Sequence, residues 1–363
     1  MDIKGLIEEI KRRKDLQEVV HHEVIPPRPA SYAATTQPLN PLTSGALAAR
    51  GITRLFSHQA HGIDLIRSGA NTVVMTPAAS GKSLIYNIPV VESIIDDPQS
   101  RAIYLFPLKG LEQDQLKALR SLTDAISFPH EQAQPRKRGY APGLAEIYDG
   151  DTTDYRRARI RSSPPSVLLT NPDMLHLAIL PFHQKWEGFF KTLKYVVIDE
   201  VHTYRGVFGS HVAQVLRRLR RIAALYNSRP QFIASSATIA NPVELTETLT
   251  GESFELIAEN GAPAGIRNFI FINPSLGASP YAIATKLFIE AVKAGLKTIA
   301  FTKARKVTEL IHSRVKDGAP ELEPLISSYR AGFLPSERRE IEARLFSGEL
   351  SGVISTSALE LGV

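Results

Sequence analysis

The sequence runs to 363 residues and 40.0 kDa, enough for about two domains of ordinary size. Hydrophobic residues make up 43% and charged residues 22%, which argues against a disordered or fibrous chain, and the absence of cysteine excludes disulfides and thiolate metal sites within it. Lys and Arg number 43 against 37 Asp and Glu, a net charge of +6 that permits a polyanionic partner without demanding one. The N-terminus, MDIKGLIEEIKRRK, is too charged for a signal peptide, and no apolar run reaches the ~18 residues of a membrane span. The expectation is a soluble, cytoplasmic, two-domain protein.

Residues 1–50 read as an N-terminal extension. Leu6, Ile7 and Ile10 recur at helical spacing, and Pro26, Pro27, Pro29, Pro38 and Pro41 then forbid long regular structure. From Gly51 short β-rich runs alternate with helix-sized segments: TVVMT from Thr72, AIYLF from Ala102, AEIY from Ala145, SVLLT from Ser166, YVVID from Tyr195 and QFIAS from Gln231. The runs are apolar throughout, as expected of strands covered on both faces, so the pattern predicts an α/β fold with a doubly wound parallel sheet over 51–258. A second series follows in 259–363: FIFI from Phe269, KTIAFT from Lys297, LISSY from Leu325 and GVIST from Gly352. The Gly/Ala/Pro-rich stretch Gly251–Gly265 is the expected boundary. Only four strands precede Val363, so the second domain is either unusually small or truncated, and the favoured expectation is that the chain is a fragment of something longer. Arg136, Lys137 and Arg138 fall in a Pro/Gly-rich insertion expected to form a loop.

The strongest local signal is TVVMTPAASGKSLIY. A strand-like run ends at Thr76, small residues follow, and Gly81-Lys82-Ser83 opens a helical pattern. A phosphate chain needs this combination of backbone N–H groups, here from Ala79, Ser80 and Gly81, with a helix N-terminus and a flexible ammonium. Lys82 is the candidate for the β/γ-phosphates and the Ser83 hydroxyl for Mg²⁺. Thr76 departs from the usual pattern, which has Gly six residues before the Lys.

In YVVIDEVH the carboxylates Asp199 and Glu200 stand where a buried strand emerges, at the edge where α/β sheets bind ligands. Asp199 would reach Mg²⁺ through water, and Glu200 would orient or deprotonate the attacking water. Alone, an acidic pair ending a strand is more often a solvated turn; after a phosphate-loop candidate it reads as the second half of a nucleotide site.

DEVH at 199–202 with SATI at 236–239 resembles superfamily 2 helicases, whose two RecA-like domains clamp ATP and grip a nucleic acid strand. The block DEVHTYRGVFGSHVAQVLRRLRRI is similar to bacterial DEAD/DEAH-box DNA repair helicases of the mitomycin-repair type and their fungal relatives, which carry a C-terminal region with four metal-binding cysteines. The likeness extends from about Pro26 to the end of the chain, and it implies two RecA-like domains, the second truncated. It implies ATP and Mg²⁺ as cofactors, single-stranded or tailed duplex DNA as partner, and ATP-driven 3′–5′ translocation in DNA repair. In LFSHQ, Gln59 resembles the adenine-reading glutamine, with Phe56 nearby for stacking. PLKGLEQDQ, YDGDTT and TNPDML resemble strand-gripping motifs, which assigns Lys109, Gln113, Gly150, Thr152, Thr170 and Asn171 to nucleic acid. Ser236 and Thr238, with His202 beside Glu200, match positions that couple hydrolysis to domain movement. Phe301 and Thr302, then Arg330 in YRAG and Thr356 in STSALELG, match later strand contacts, and Ser357 stands where relatives often have Asn. The glycine-and-arginine-rich motif that supplies arginine fingers in these helicases does not occur. Residue types alone leave open an RNA helicase, or a nucleotide-dependent binding module without turnover.

Other conspicuous residues have plainer readings. Arg217, Arg218, Arg220 and Arg221 resemble a nucleic-acid patch, yet Val212, Val215, Leu216, Leu219 and Ile222 mark a core stripe that makes those arginines its solvated face. His21 and His22 lack a nearby acidic cluster and read as structural, and Trp186 reads as a packing anchor.

Overall fold

The computed structural model describes residues 3–12, 18–126, 144–274, 279–330 and 332–359. The chain opens with α1 (Ile3–Arg12), β1 (Glu18–Ile25), β2 (Tyr32–Ala33), α2 (Pro41–Ala49) and β3 (Leu55–Phe56). Strand and helix then alternate through α3 (Ser57–Arg67), β4 (Thr72–Met75), α4 (Lys82–Asp96), β5 (Arg101–Leu105), α5 (Lys109–Thr123), β6 (Ala145–Ile147), α6 (Asp154–Ser162) and β7 (Val167–Thr170). Two short helices, α7 (Pro172–Met174) and α8 (Glu187–Lys191), precede β8 (Leu193–Ile198), α9 (Gly206–Leu225), β9 (Gln231–Ser236), α10 (Pro242–Thr250) and β10 (Glu255–Ile257). The remaining elements are β11 (Arg267–Asn273), α11 (Pro280–Lys293), β12 (Thr298–Phe301), α12 (Arg305–Gly318), β13 (Ile326–Tyr329), α13 (Pro335–Ser347) and β14 (Gly352–Ser355). The chain divides into two units, Arg28–Ala264 and Met1–Pro27 with Gly265–Val363.

In the unit Arg28–Ala264 the six apolar runs read from the sequence pair in one parallel sheet, joined at an edge by β10, in the order β10-β4-β9-β8-β5-β7-β6. Val73, Ile103, Leu168, Val196 and Ile233 are wholly buried, as strands sandwiched by helices require. Trp186 lies in this core, edge to face with Tyr148 and Phe189. The α9 stripe of Val212, Val215, Leu216, Leu219 and Ile222 packs against the same core. Of the arginines beside it, Arg220 ion-pairs with Glu252 and donates to the Thr250 and Gly251 carbonyls, clamping the end of α10.

The other unit carries a parallel sheet β12-β14-β13, with Phe288, Val292, Ile311, Val315 and Ile354 in its core. FIFI, expected in this sheet, instead forms β11, which pairs antiparallel with β1 as a two-stranded ribbon. Phe269 and Phe271 are exposed on one face while Ile270 and Ile272 are half-buried on the other. A four-residue apolar run does not reveal how many of its faces are covered, and that is why the sequence misassigned it. His22 on β1 bonds the Asn268 side chain at 3.0 Å, and His21 packs on Phe271, both structural contacts.

The first fifty residues, read as one extension, divide between the units because β1 pairs with β11 while β2 pairs with β3. The stretch expected as a linker holds β10, so the division falls at its far end, between Ala264 and Gly265. The basic cluster Arg136–Arg138 lies outside the described residues. No helix among the described residues is long and apolar enough to cross a membrane.

Candidate functional site

Every candidate site residue of the larger unit except Gln59 ends a parallel strand, as Thr170 and Ser236 do, or lies beyond its carboxyl end, where helix N-termini and free strand ends converge. Sheet order sorts them into two groups. β4, β9 and β8 are neighbours and lead into the phosphate-loop candidate, Ser236 to Thr238, and the pair Asp199 and Glu200. β5, β7 and β6 form the other half and lead into Lys109 and Gln113, then Thr170 and Asn171, then Gly150 and Thr152.

In the first group the loop turns through left-handed backbone at Ala79 (φ 59°) and Gly81 (φ 79°) before α4 begins at Lys82. Neither demand falls on position 76, so Thr76 needs no glycine freedom, and its buried hydroxyl instead bonds the Ser80 hydroxyl at 2.7 Å. The first amides of α4 lie at its N-terminus, the kind of helix end that suits an anion, and of these the Leu84 N–H donates to the Gly81 carbonyl at 3.2 Å. Lys82 Nζ donates to the carbonyl oxygens of Thr76 at 3.0 Å and Ser236 at 3.1 Å, bringing the ends of β4 and β9 onto one cation. Gln59 in α3 accepts from the Phe56 amide (2.9 Å) and donates to the Gly81 carbonyl (3.1 Å), leaving one proton and one lone pair for a base. Any side chain at Gly81 would collide with that amide.

Asp199 is buried and accepts from Ser235 Oγ. Burial, with Glu200 beside it, pushes its carboxyl up to about 6, against the opposing pull of the Ser235 bond and Lys82. Glu200 sits in the left-handed region (φ 50°, ψ 46°) and is likewise raised by burial and lowered by Lys82. His202 Nδ1 lies 3.2 Å from Glu200 Oε2 and 3.2 Å from the Ala237 amide, so one ring nitrogen serves two competing partners. A proton on Nδ1 favours the carboxylate; its absence favours the amide. Ser236 Oγ is buried with no hydrogen-bond partner among the described residues, and Thr238 follows in the next loop.

These residues fit a magnesium–nucleotide. Ser83 and Asp199 offer the hard oxygen donors Mg²⁺ prefers, Lys82 is a cation beside the loop, and the orphaned Ser236 hydroxyl is a polar group awaiting a partner. No group of three or more His, Cys, Asp or Glu side chains placed to hold a metal occurs among the described residues.

In the second group the side chains are mostly committed to one another. Lys109 ion-pairs with Asp151 at 2.7 Å. Asp149 Oδ1 accepts from the amides of Asp151 and Thr152 and from Thr152 Oγ1, folding the turn that presents Gly150. Thr170 Oγ1 donates to the Tyr148 carbonyl. Asn171 Oδ1 caps α7 at the Met174 amide, while its Nδ2 donates to Glu112 Oε1 at 3.1 Å. Gln113 is exposed on α5. Glu112, unremarked in the sequence, is wholly buried with Oε2 unpartnered among the described residues, and burial pushes its carboxyl up to about 8. Its burial could not be read from one sequence, although it stands one residue before Gln113.

In the smaller unit, Thr302, Arg330 and Thr356 each directly follow a strand, β12, β13 and β14, and so share the carboxyl edge of that sheet. Thr302 Oγ1 bonds Thr308 Oγ1, Arg330 Nε donates to Glu309 Oε1 at 2.8 Å, and the Thr356 amide reaches the Tyr329 carbonyl. Phe301, the last residue of β12, is exposed.

A doubly wound sheet with a phosphate loop, an Asp-Glu-x-His strand end and a Ser-Ala-Thr strand end defines a RecA-like helicase fold. The DEAD/DEAH box helicase family matches residues 56–246, more than half the chain, and the protein belongs to that family. It is 43% identical to the ATP-dependent helicase YprA of Bacillus subtilis over its whole length, and 39% identical over 96% of its length to the ATP-dependent helicase hrq1 of Schizosaccharomyces pombe. It spans 48% of the first relative and 33% of the second, half their length or less. Among solved structures it is similar to the DUF1998 helicase MrfA bound to DNA and AMPPNP, with a TM-score of 0.90, 43% identity, and coverage of 100% of this chain and 50% of that one.

Proposed function

We propose that the chain is the ATP-driven core of a 3′–5′ DNA helicase or translocase working in DNA repair, with Arg28–Ala264 as its ATP-binding domain. The observation that carries this reading is the sorting of the sheet edge into a phosphate and carboxylate half and a half rich in backbone donors and small hydroxyl residues. The similar DUF1998 helicase bound to both DNA and AMPPNP supports the same pairing of ligands.

Lys82 and the loop amides bind the phosphates, and Ser83 and Asp199 hold Mg²⁺, which supplies charge neutralisation at the phosphates. Glu200, made more basic by burial, takes the proton of the attacking water. His202 passes the state of Glu200 to the loop at Ala237. Gln59 reads the base. Backbone groups around Gly150, Thr152, Thr170 and Asn171, with Lys109, hold strand phosphates without reading sequence, and Thr302, Arg330 and Thr356 do so in the second unit.

Matched DNA and RNA duplexes with 3′ tails, together with ATP turnover with and without single-stranded DNA, test the proposal. DNA displacement and DNA-stimulated turnover are the expected results. Unwinding confined to RNA, or binding without turnover, would replace it.

A further inference from the structure

His58 lies between the phosphate loop and the two points where the chain leaves the larger unit. Its ring is almost wholly buried. Nε2 is 3.1 Å from the Ser80 carbonyl oxygen, and the Gly261 amide lies 3.1 Å from Nδ1. A carbonyl only accepts and an amide N–H only donates, so the two partners fix a neutral imidazole with its proton on Nε2. His58 and Gln59, adjacent in the first turn of α3, thus hold the successive loop carbonyls of Ser80 and Gly81.

The other end of this bridge is equally built. The Gly261 carbonyl accepts from the Ser31 amide at 2.8 Å, and the Ser31 carbonyl accepts from Ser57, the residue before His58. A Cβ at Gly261 would come within 2.7 Å of the Ser31 carbonyl oxygen and 2.8 Å of the Ser57 nitrogen, so this approach admits only glycine. Three residues on, Arg28 and Ala264 exchange both backbone hydrogen bonds at 2.9 Å, and Arg28 Nη2 reaches the Ala262 carbonyl. These are the residues at which the chain crosses between units, Pro27/Arg28 and Ala264/Gly265. Both crossings are therefore pinned together, and His58 ties the pinned pair to the phosphate loop.

We infer that His58 is a positioning residue that couples the conformation of the phosphate loop to the paired crossing segments 28–31 and 260–264. The inference deepens the proposed function and rests on nucleotide binding at that loop. Coupling through one bridge is reciprocal: whatever orders the loop orders the crossings, and loosening the crossings weakens the ligand of the loop.

The test is amide hydrogen exchange of the protein and of His58→Ala, with and without saturating Mg²⁺–AMPPNP, beside a titration of AMPPNP itself. In the parent protein the analogue should slow exchange at Gly261 and Ala264 several-fold; in His58→Ala that response should vanish even when the analogue is saturating. Gly261→Ala should weaken AMPPNP in the parent but not further in His58→Ala, and non-additivity is a readout that a purely structural histidine would not move. Should Gly261→Ala fail to fold, Arg28→Ala perturbs the same crossing through its contact with Ala262. Equal nucleotide-dependent protection in His58→Ala, or additive losses of affinity, overturns the inference. If the parent binds no AMPPNP, the proposed function fails, and the inference is decided without nucleotide. His58→Ala must then speed exchange in the loop and at Gly261 together, and a change at only one of them overturns it.

Discussion

Lys82 Nζ lies 3.1 Å from the carbonyl oxygen of Ser236, so the cation of the phosphate loop also closes the end of the neighbouring strand β9. With the Thr76 carbonyl, this is the seat from which a phosphate must draw the ammonium. Lys82→Ala removes both roles. Charge-assisted hydrogen bonds contribute ~1.5–3 kcal/mol, so nucleotide affinity should fall about 10- to 100-fold. Titration with a fluorescent ATP analogue checks this, and unchanged affinity would remove Lys82 from the site.

Glu200→Gln keeps the shape of the side chain and its distance to His202 but loses the basicity that burial confers. Nucleotide affinity should stay within a few-fold of the parent, while DNA-stimulated turnover falls roughly 10²- to 10⁴-fold. Parental turnover in this variant would show that another group takes the proton.

Glu112 gives a pH dependence whose sign follows from its raised carboxyl. The folded chain holds this proton up to about pH 8, whereas an unfolded glutamic acid releases it near the ordinary value of 4.5. Between those values the unfolded state binds fewer protons, so stability falls as pH rises through the window and levels off above it. Glu112→Gln cannot titrate. Its amide leaves a donor unpartnered and so carries a constant penalty, yet its melting temperature should lose less than the parent's between pH 5 and pH 8. Parallel curves for the two proteins would mean that Glu112 is ionised in the folded chain.

The six strands β4 to β9 and the carboxyl-edge position of Lys82, Ser83, Asp199, Glu200, Ser236 and Thr238 were legible in the sequence because each depends on a few consecutive residues, whereas the short β2, β3 and β10 were not. An apolar run followed by small or charged residues is a local pattern, and local patterns survive without an alignment. The contacts that hold the site are of another kind. His58 meets Gly261 across 203 positions and Asn171 meets Glu112 across 59, and nothing in either neighbourhood announces the partner. The FIFI run fails for the converse reason: its local signal is strong, but the partner strand β1 lies near the other end of the chain, inside a proline-flanked segment. The absence of glycine at Thr76 looks like a defect in sequence and is none in structure, because the left-handed turns fall at Ala79 and Gly81.

Gln59 bonds both the Phe56 amide and the Gly81 carbonyl, so truncation should loosen the loop as well as the base contact. Gln59→Ala is expected to weaken ATP more than GTP, narrowing the preference between them, and to raise the ATP concentration needed for half-maximal turnover. Competition binding with the two nucleotides measures it. A loss of equal size for both would confine Gln59 to supporting the loop.

Lys109 and Asp151 form an exposed ion pair at 2.7 Å, and a strand phosphate reaching Lys109 must compete with that carboxylate. Removing the competitor and removing the cation should therefore act in opposite directions. Asp151→Asn frees the ammonium for a strand phosphate. Exposed pairs hold ~0.2–1 kcal/mol, so single-stranded DNA should bind up to about fivefold tighter. Lys109→Ala should weaken binding and make the slope of log K against log salt shallower by about 0.7, the counterion share of one phosphate on a single strand. The double variant should behave like Lys109→Ala alone, because Asp151 acts only through the lysine it occupies. Fluorescence anisotropy over a salt series measures all three. Tighter binding by Asp151→Asn that persists in the Lys109→Ala background would show that Asp151 repels the strand directly, and an unchanged salt slope in Lys109→Ala would show that Lys109 holds no phosphate.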